Sequence, residues 1–157
     1  MTGQAVVGIR GIDHVSLPTR DVEGLAAFYS GLGVVVDGLE EWRAGERMVV
    51  SLRLGEVKIH LHTPRMLEHV GEPWFVRADV AVPGCGDLCF EWLGGVPALL
   101  AHLADEHVEV VEGPVPRTGG RDQGTARGVS VYVRDPDANL VELISYDAND
   151  RAEVHDA

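Results

Sequence analysis

Ile12-Asp13-His14-Val15-Ser16-Leu17 and Gly86-Asp87-Leu88-Cys89-Phe90 are two copies of one pattern. With His14 set over Asp87, Val15 falls on Leu88, Ser16 on Cys89 and Leu17 on Phe90. Both segments alternate apolar and polar residues with the period of a strand covered on one face only. An internal repeat governs architecture, so the neighbours of each copy decide the fold.

Each copy is followed by a helical pattern. The first spans about Asp21 to Ser30, with Asp21 as N-cap and Gly31 past the end. The second spans about Pro97 to Ala104, with Pro97 suited to the first helical position. Valine-rich strands follow at Gly33–Val36 and His107–Val111. Arg47–Leu54 then turns through Gly55-Glu56 into Val57–His62. Its counterpart is Val129–Arg134, a turn at Asp135-Pro136-Asp137-Ala138-Asn139, and Leu140–Ser145. The order β-α-β-β-β therefore occurs twice. This predicts an α+β fold of two tandem modules whose curved mixed sheets form a cup, with helices on the outer face. The chain reads as a single domain: a first module over about 9–63, a linker over 64–83, a second module over about 84–147 and a polar tail over 148–157.

With 157 residues, 45% apolar and 24% charged, the chain suits one compact domain rather than a disordered segment. No apolar run approaches the ~20 residues of a membrane span, which argues against a membrane partner. Met1–Arg10 lacks the pattern of a secretory leader, so a cytoplasmic location is the expectation. Thirteen basic against twenty-five acidic residues give a net charge of −12, which repels phosphate backbones and argues against nucleic acid. Cys85 and Cys89 make neither a disulfide framework nor a paired zinc spacing.

Strand parity sorts the remaining residues. Val15, Leu17, Ile59, Leu61, Leu88, Phe90, Val141 and Leu143 belong under the helices. That leaves His14, His60, Asp87 and Glu142 on the helix-free face, at equivalent places in the two repeats. Two imidazoles and two carboxylates converging there suit Zn, Ni, Mn, Co or Fe(II), with positions left open for a small-molecule substrate. The same residues could instead line a wet groove that binds nothing. His62 shares the face of His60 and is a substitute ligand, a general base or a plain pocket residue. Cys89 could bind metal or be a small filler, and Ser130 and Tyr132 could orient a substrate oxygen. The stretch Pro116–Gly128, with four glycines and Arg117, Arg121 and Arg127, reads as a lid over an anionic substrate or as a flexible loop. Arg121 is the substrate-binding candidate in it.

Ile12-Asp13-His14-Val15, then Asp21…Phe28-Tyr29…Leu32-Gly33, then Arg134-Asp135-Pro136-Asp137-Ala138-Asn139-Leu140-Val141-Glu142 resemble the vicinal oxygen chelate superfamily. That superfamily holds glyoxalase I, bleomycin- and fosfomycin-resistance proteins and extradiol dioxygenases. The likeness covers about residues 9 to 147, and the second module is similar to a glyoxalase-like, virulence-associated branch whose label carries no reaction. It implies metal ligands on the first and fourth strands of each module, with His14 and Glu142 matching the first and last. Bacterial glyoxalases of this layout carry a carboxylate and a histidine where His60 and Asp87 stand, so the two types are exchanged. Extradiol enzymes need a histidine at the place of Asp87, which counts against a dioxygenase. Ala138 stands where glycine is usual.

The resemblance thus implies a divalent-metal enzyme that chelates neighbouring oxygens of a substrate and stabilises an oxyanion, of lyase or isomerase type. Glu142 or His62 would exchange the proton. A metal-free protein sequestering a cationic drug is the alternative, with the −12 charge and Trp42 and Trp74 as its features. A homodimer is implied by the same likeness, with cups within one chain or shared between two.

Overall fold

The computed structural model describes residues 8–153. The reading of Met1–Arg10 therefore lies mostly outside the described residues, as does 154–157 of the tail. The first module contains β1 (His14–Pro18), α1 (Val22–Gly31), β2 (Val35–Asp37), α2 (Leu39–Arg43), β3 (Val49–Leu54) and β4 (Val57–His62). A connecting segment with α3 (Pro64–Leu67) leads to β5 (Asp87–Trp92), α4 (Val96–Asp105), β6 (Val110–Thr118), the single turn α5 (Arg121–Gly124), β7 (Arg127–Arg134) and β8 (Leu140–Ser145). Helix α6 (Ala148–Glu153) follows. The sheets have equivalent orders, β1-β4-β3-β2 and β5-β8-β7-β6, with one parallel pair and two antiparallel pairs each. The fold is α+β, two tandem βαβββ modules. The sheets stay separate, and β1 and β5 each end one.

Local chemistry explains the helices. Asp21 caps α1 by accepting the Gly24 N–H at 2.8 Å, and Pro97 sits in the first turn of α4. Along α1, Val22, Leu25 and Tyr29 recur on one face and are buried against Val50, Leu52, Ile59 and Leu61. Along α4, Val96, Leu99 and Leu103 meet Val129, Val131, Val133 and Val141. Both groups merge into one hydrophobic cluster spanning the modules. Two polar bonds cross the same seam: the His102 ring meets the Gly31 carbonyl at 2.7 Å, and the Tyr29 hydroxyl donates to Asp135 at 3.0 Å.

Several details depart from the sequence-based expectations. Val15 was expected under a helix but is 37% exposed, because α1 lies over β2 and β3 and leaves the edge strand β1 uncovered. The strand expected at His107–Val111 starts at Val110, because His107 adopts a left-handed conformation that closes α4. The Pro116–Gly128 stretch, read as a lid or a flexible loop, is in part strand. Pro116, Arg117 and Thr118 pair with Val129, Gly128 and Arg127, so both ends of the stretch belong to a hairpin and 119–126 form its loop. The 148–157 tail begins as a helix whose Asp150, 4% exposed, accepts the Val96 N–H at 2.9 Å and so caps α4 from outside.

Candidate functional site

The strands lay the site out in rows. On the first sheet, Lys58 pairs with His14 across β1 and β4, and His60 pairs with Ser16. His14 and His60, diagonal neighbours on one face, stack with ring centroids 4.7 Å apart. The Asp13 carboxylate meets His14 Nδ1 at 2.7 Å, which leaves Nε2 as the nitrogen free to ligate. Burial holds His60 below the usual histidine range, and the positive charge of Lys58, His14, His62 and Arg47 lowers it further. A neutral imidazole, the form that donates a lone pair, is thus favoured there. His62 is lowered chiefly by burial and then by Arg77, and its ring meets buried Phe75 edge-on at 5.2 Å.

The second sheet presents the carboxylates. Glu142 lies at the place on β8 that His60 takes on β4, flanked by Cys89 on β5 and Tyr132 on β7. Buried Ser130 donates its hydroxyl to Glu142 Oε1 at 2.5 Å. Burial pushes the Cys89 thiol up to about 12, helped by the charge of Glu142 and a hydrogen bond to it. At neutral pH it remains a thiol donor to the carboxylate, not a thiolate. Tyr132 is held from behind by Arg117, whose Nε donates to the phenol oxygen at 2.9 Å while a further nitrogen reaches Glu112 at 3.0 Å. Asp87 is exposed at the start of β5 on the face of Cys89. Arg121 forms an ion pair with Glu91, two residues along β5 from Cys89, and lies over the Tyr146 ring at 4.6 Å.

One chain thus brings together His14 with His60, and Glu142 with Ser130, Cys89 and Tyr132. It does not gather all four proposed ligands: among the described residues no three His, Cys, Asp or Glu side chains come together as a metal site would require. The physical reason is the shared core. Both sheets turn their apolar faces to one hydrophobic cluster, so both polar faces look outward from it. Those faces differ in charge. The first carries Lys58 and Arg53 beside the histidines, and the second carries Asp87, Glu91 and Glu142. Parity in the sequence was enough to find both groups. It missed Arg117 behind Tyr132, and it missed Phe75, which the linker folds back onto His62.

A family model described as the glyoxalase/bleomycin resistance protein/dioxygenase superfamily matches residues 11–143. The chain belongs to that superfamily. It is similar to the glyoxalase domain-containing protein RDO1 of Mycosarcoma maydis, 35% identical over 143 residues, 91% of this chain and 72% of RDO1. It is also similar to the virulence protein STM3117 of Salmonella typhimurium, 33% identical over 136 residues, 86% of this chain and 83% of that protein. Superposition on the crystal structure of STM3117 gives a TM-score of 0.73, with 90% of this chain and 100% of the other covered at 30% identity. An integron cassette protein from the mobile metagenome of V. cholerae gives 0.72 at 30% identity, covering 90% and 99%. Superfamily membership makes this chain a relative of both enzymes and binding proteins. No helix among the described residues is long and apolar enough to cross a membrane.

Proposed function

We propose that the chain is a divalent-metal-dependent enzyme of lyase or isomerase type, in which His14, His60, Asp87 and Glu142 hold the ion. The observation that carries the reading is the paired half-site. A stacked His14/His60 pair backed by Asp13 and a carboxylate oriented by Ser130 occupy equivalent positions of two repeats. Two nitrogen and two oxygen donors suit a first-row divalent ion, which would polarise neighbouring substrate oxygens and stabilise a developing oxyanion. His62, with its lowered proton affinity, is free to accept a proton at neutral pH. Glu142, already hydrogen-bonded by Ser130, is the second proton-transfer candidate. Asp87 in place of a histidine counts against oxygen insertion.

The complete site is shared between two copies of the chain, the histidine half of one meeting the carboxylate half of the other. Three features support this. Strands β1 and β5 leave unpaired edges. An apolar cleft of about 690 Å³, bordered by Val15, Ile59, Leu88, Phe90 and Trp92, lies between those edges. Lys58 and Arg53 stand beside the histidines, and Asp87 stands on the face of Glu142, so the two halves carry complementary charges next to their proposed ligands.

Elemental analysis of the reconstituted protein tests the reading. The expectation is about one divalent ion per chain, lost in His14→Ala and in Glu142→Gln. Protein that takes up no ion under any reconstitution rejects it. The competing reading, a metal-free sink for a cationic drug, draws on the net charge of −12 and on Trp74, 56% exposed and stacked on Phe75. It predicts salt-sensitive binding of a basic glycopeptide without metal.

A further inference from the structure

The register of the first sheet opposes like charges. Val35, Arg53, Lys58 and His14 form one row across β2, β3, β4 and β1, and Asp37, Ser51, His60 and Ser16 form the next. Arg53 and Lys58 are direct cross-strand partners on the histidine face, an arrangement that costs stability. Among the described residues, neither side chain makes a hydrogen bond or ion pair. Asp13, which attracts Lys58 electrostatically, is itself hydrogen-bonded to His14.

Several other cations have partners within the chain. Arg20, Arg43, Arg47, Arg117 and Arg121 are each bound to a carboxylate, and Arg65, Arg77 and Arg134 donate to backbone carbonyls. The opposed pair stands beside His14. A second observation lies one row away. The Ser51 hydroxyl, on the same face and directly across from His60, is 1% exposed and without a hydrogen-bond partner among the described residues. A buried hydroxyl left unmatched costs free energy unless a ligand or water reaches it.

We propose that Arg53 and Lys58 are the anion-recognition element of the reacting site, and that its substrate is a small organic acid. The carboxylate or phosphonate of that acid rests between the guanidinium and the ammonium, beside His14. This rests on the reading of the His14/His60 face as the reacting face. A cationic drug would meet the same pair as repulsion.

Lactate, its neutral amide lactamide, and methylphosphonate serve as probes. Each is titrated calorimetrically at low salt into the full chain, both metal-free and nickel-loaded, in the native sequence and in Arg53→Gln, Lys58→Gln and the double variant. One or both anions are expected to bind at least about tenfold more tightly than lactamide, a preference that disappears in the double variant. Which anion binds tells carboxylate from phosphonate. The variants should melt no lower than the native protein, since a like-charge contact is relieved. Equal binding of anions and amide, no binding of either anion, or an undiminished preference in the double variant overturns the proposal. An anion preference in protein that never loads metal upholds it while the metal reading falls. Metal loading without anion preference does the reverse.

Discussion

At His60, burial and neighbouring charge act in one direction, and the same holds more simply at His62. In the unfolded chain both rings titrate near 6.5, whereas in the folded protein they do so lower. The unfolded state therefore binds more protons over that interval, and stability rises with pH. Metal-free protein should lose stability as the pH falls through 6.5 toward 5, with the slope reduced in His60→Asn and in His62→Asn. Denaturant midpoints across that range measure it, and an unchanged slope in both variants refutes the assignment. The lowered Asp13 carboxyl acts elsewhere, its contribution being lost only as pH drops below about 3.9. Both histidines were visible as polar positions on an alternating strand. Their lowered proton affinity was not, because it arises chiefly from burial, which depends on how the chain packs around them, although Lys58, the largest charge at His60, lies on the same strand.

The turn between β7 and β8 shows how an element can be legible for one reason and matter for another. Arg134 to Glu142 resembles a family motif, yet most of it is structural. Buried Asp135 accepts hydrogen bonds from the Asp137 and Asn139 N–H groups, the Asn139 side-chain amide and the Tyr29 hydroxyl. Asn139 in turn accepts the Gly86 N–H at 2.7 Å, where a Cβ on Gly86 would lie 2.8 Å from the same oxygen. Asp137 accepts from Arg20. The motif thus fastens the last hairpin to α1 and to the start of β5. Asp135→Ala would strand several buried donors and should destabilise the protein by about 3 kcal/mol or more. Ala138, at φ 70°, occupies the left-handed region, so Ala138→Gly should stabilise it by about 1 kcal/mol. Equilibrium unfolding of the two variants checks both signs. Hairpins and caps of this kind were readable because their chemistry is local. The end of α4 at His107, a left-handed cap without glycine, and the strand pairing of Pro116–Thr118 were not, since neither carries a distinctive local residue signal.

At the scale of the whole molecule, the repeat and the α+β order of elements follow from period and turn chemistry. The packing of one module on the other does not, because nothing in a strand's alternation states which way its polar face looks. The choice left open by the sequence, a cup within one chain or one shared between two, turns on that point. Unpaired β1 offers the clearest test of the two-copy arrangement. Ile12 and Val15, 72% and 37% exposed, flank its open edge. A lysine there should block strand addition. Val15→Lys is expected to convert a dimer to a monomer in light scattering and to lose bound metal at the same time, with the chain still folded by circular dichroism. A variant that stays dimeric and metal-loaded refutes the arrangement. The continuous hydrophobic cluster beneath both sheets carries a different consequence. Neither repeat owns a complete interior, so half of the chain expressed alone would leave oily surface open to water and precipitate. Substitutions that reshape α1 must also be tolerated by the opposite repeat, so neither half can be altered inside without regard to the other.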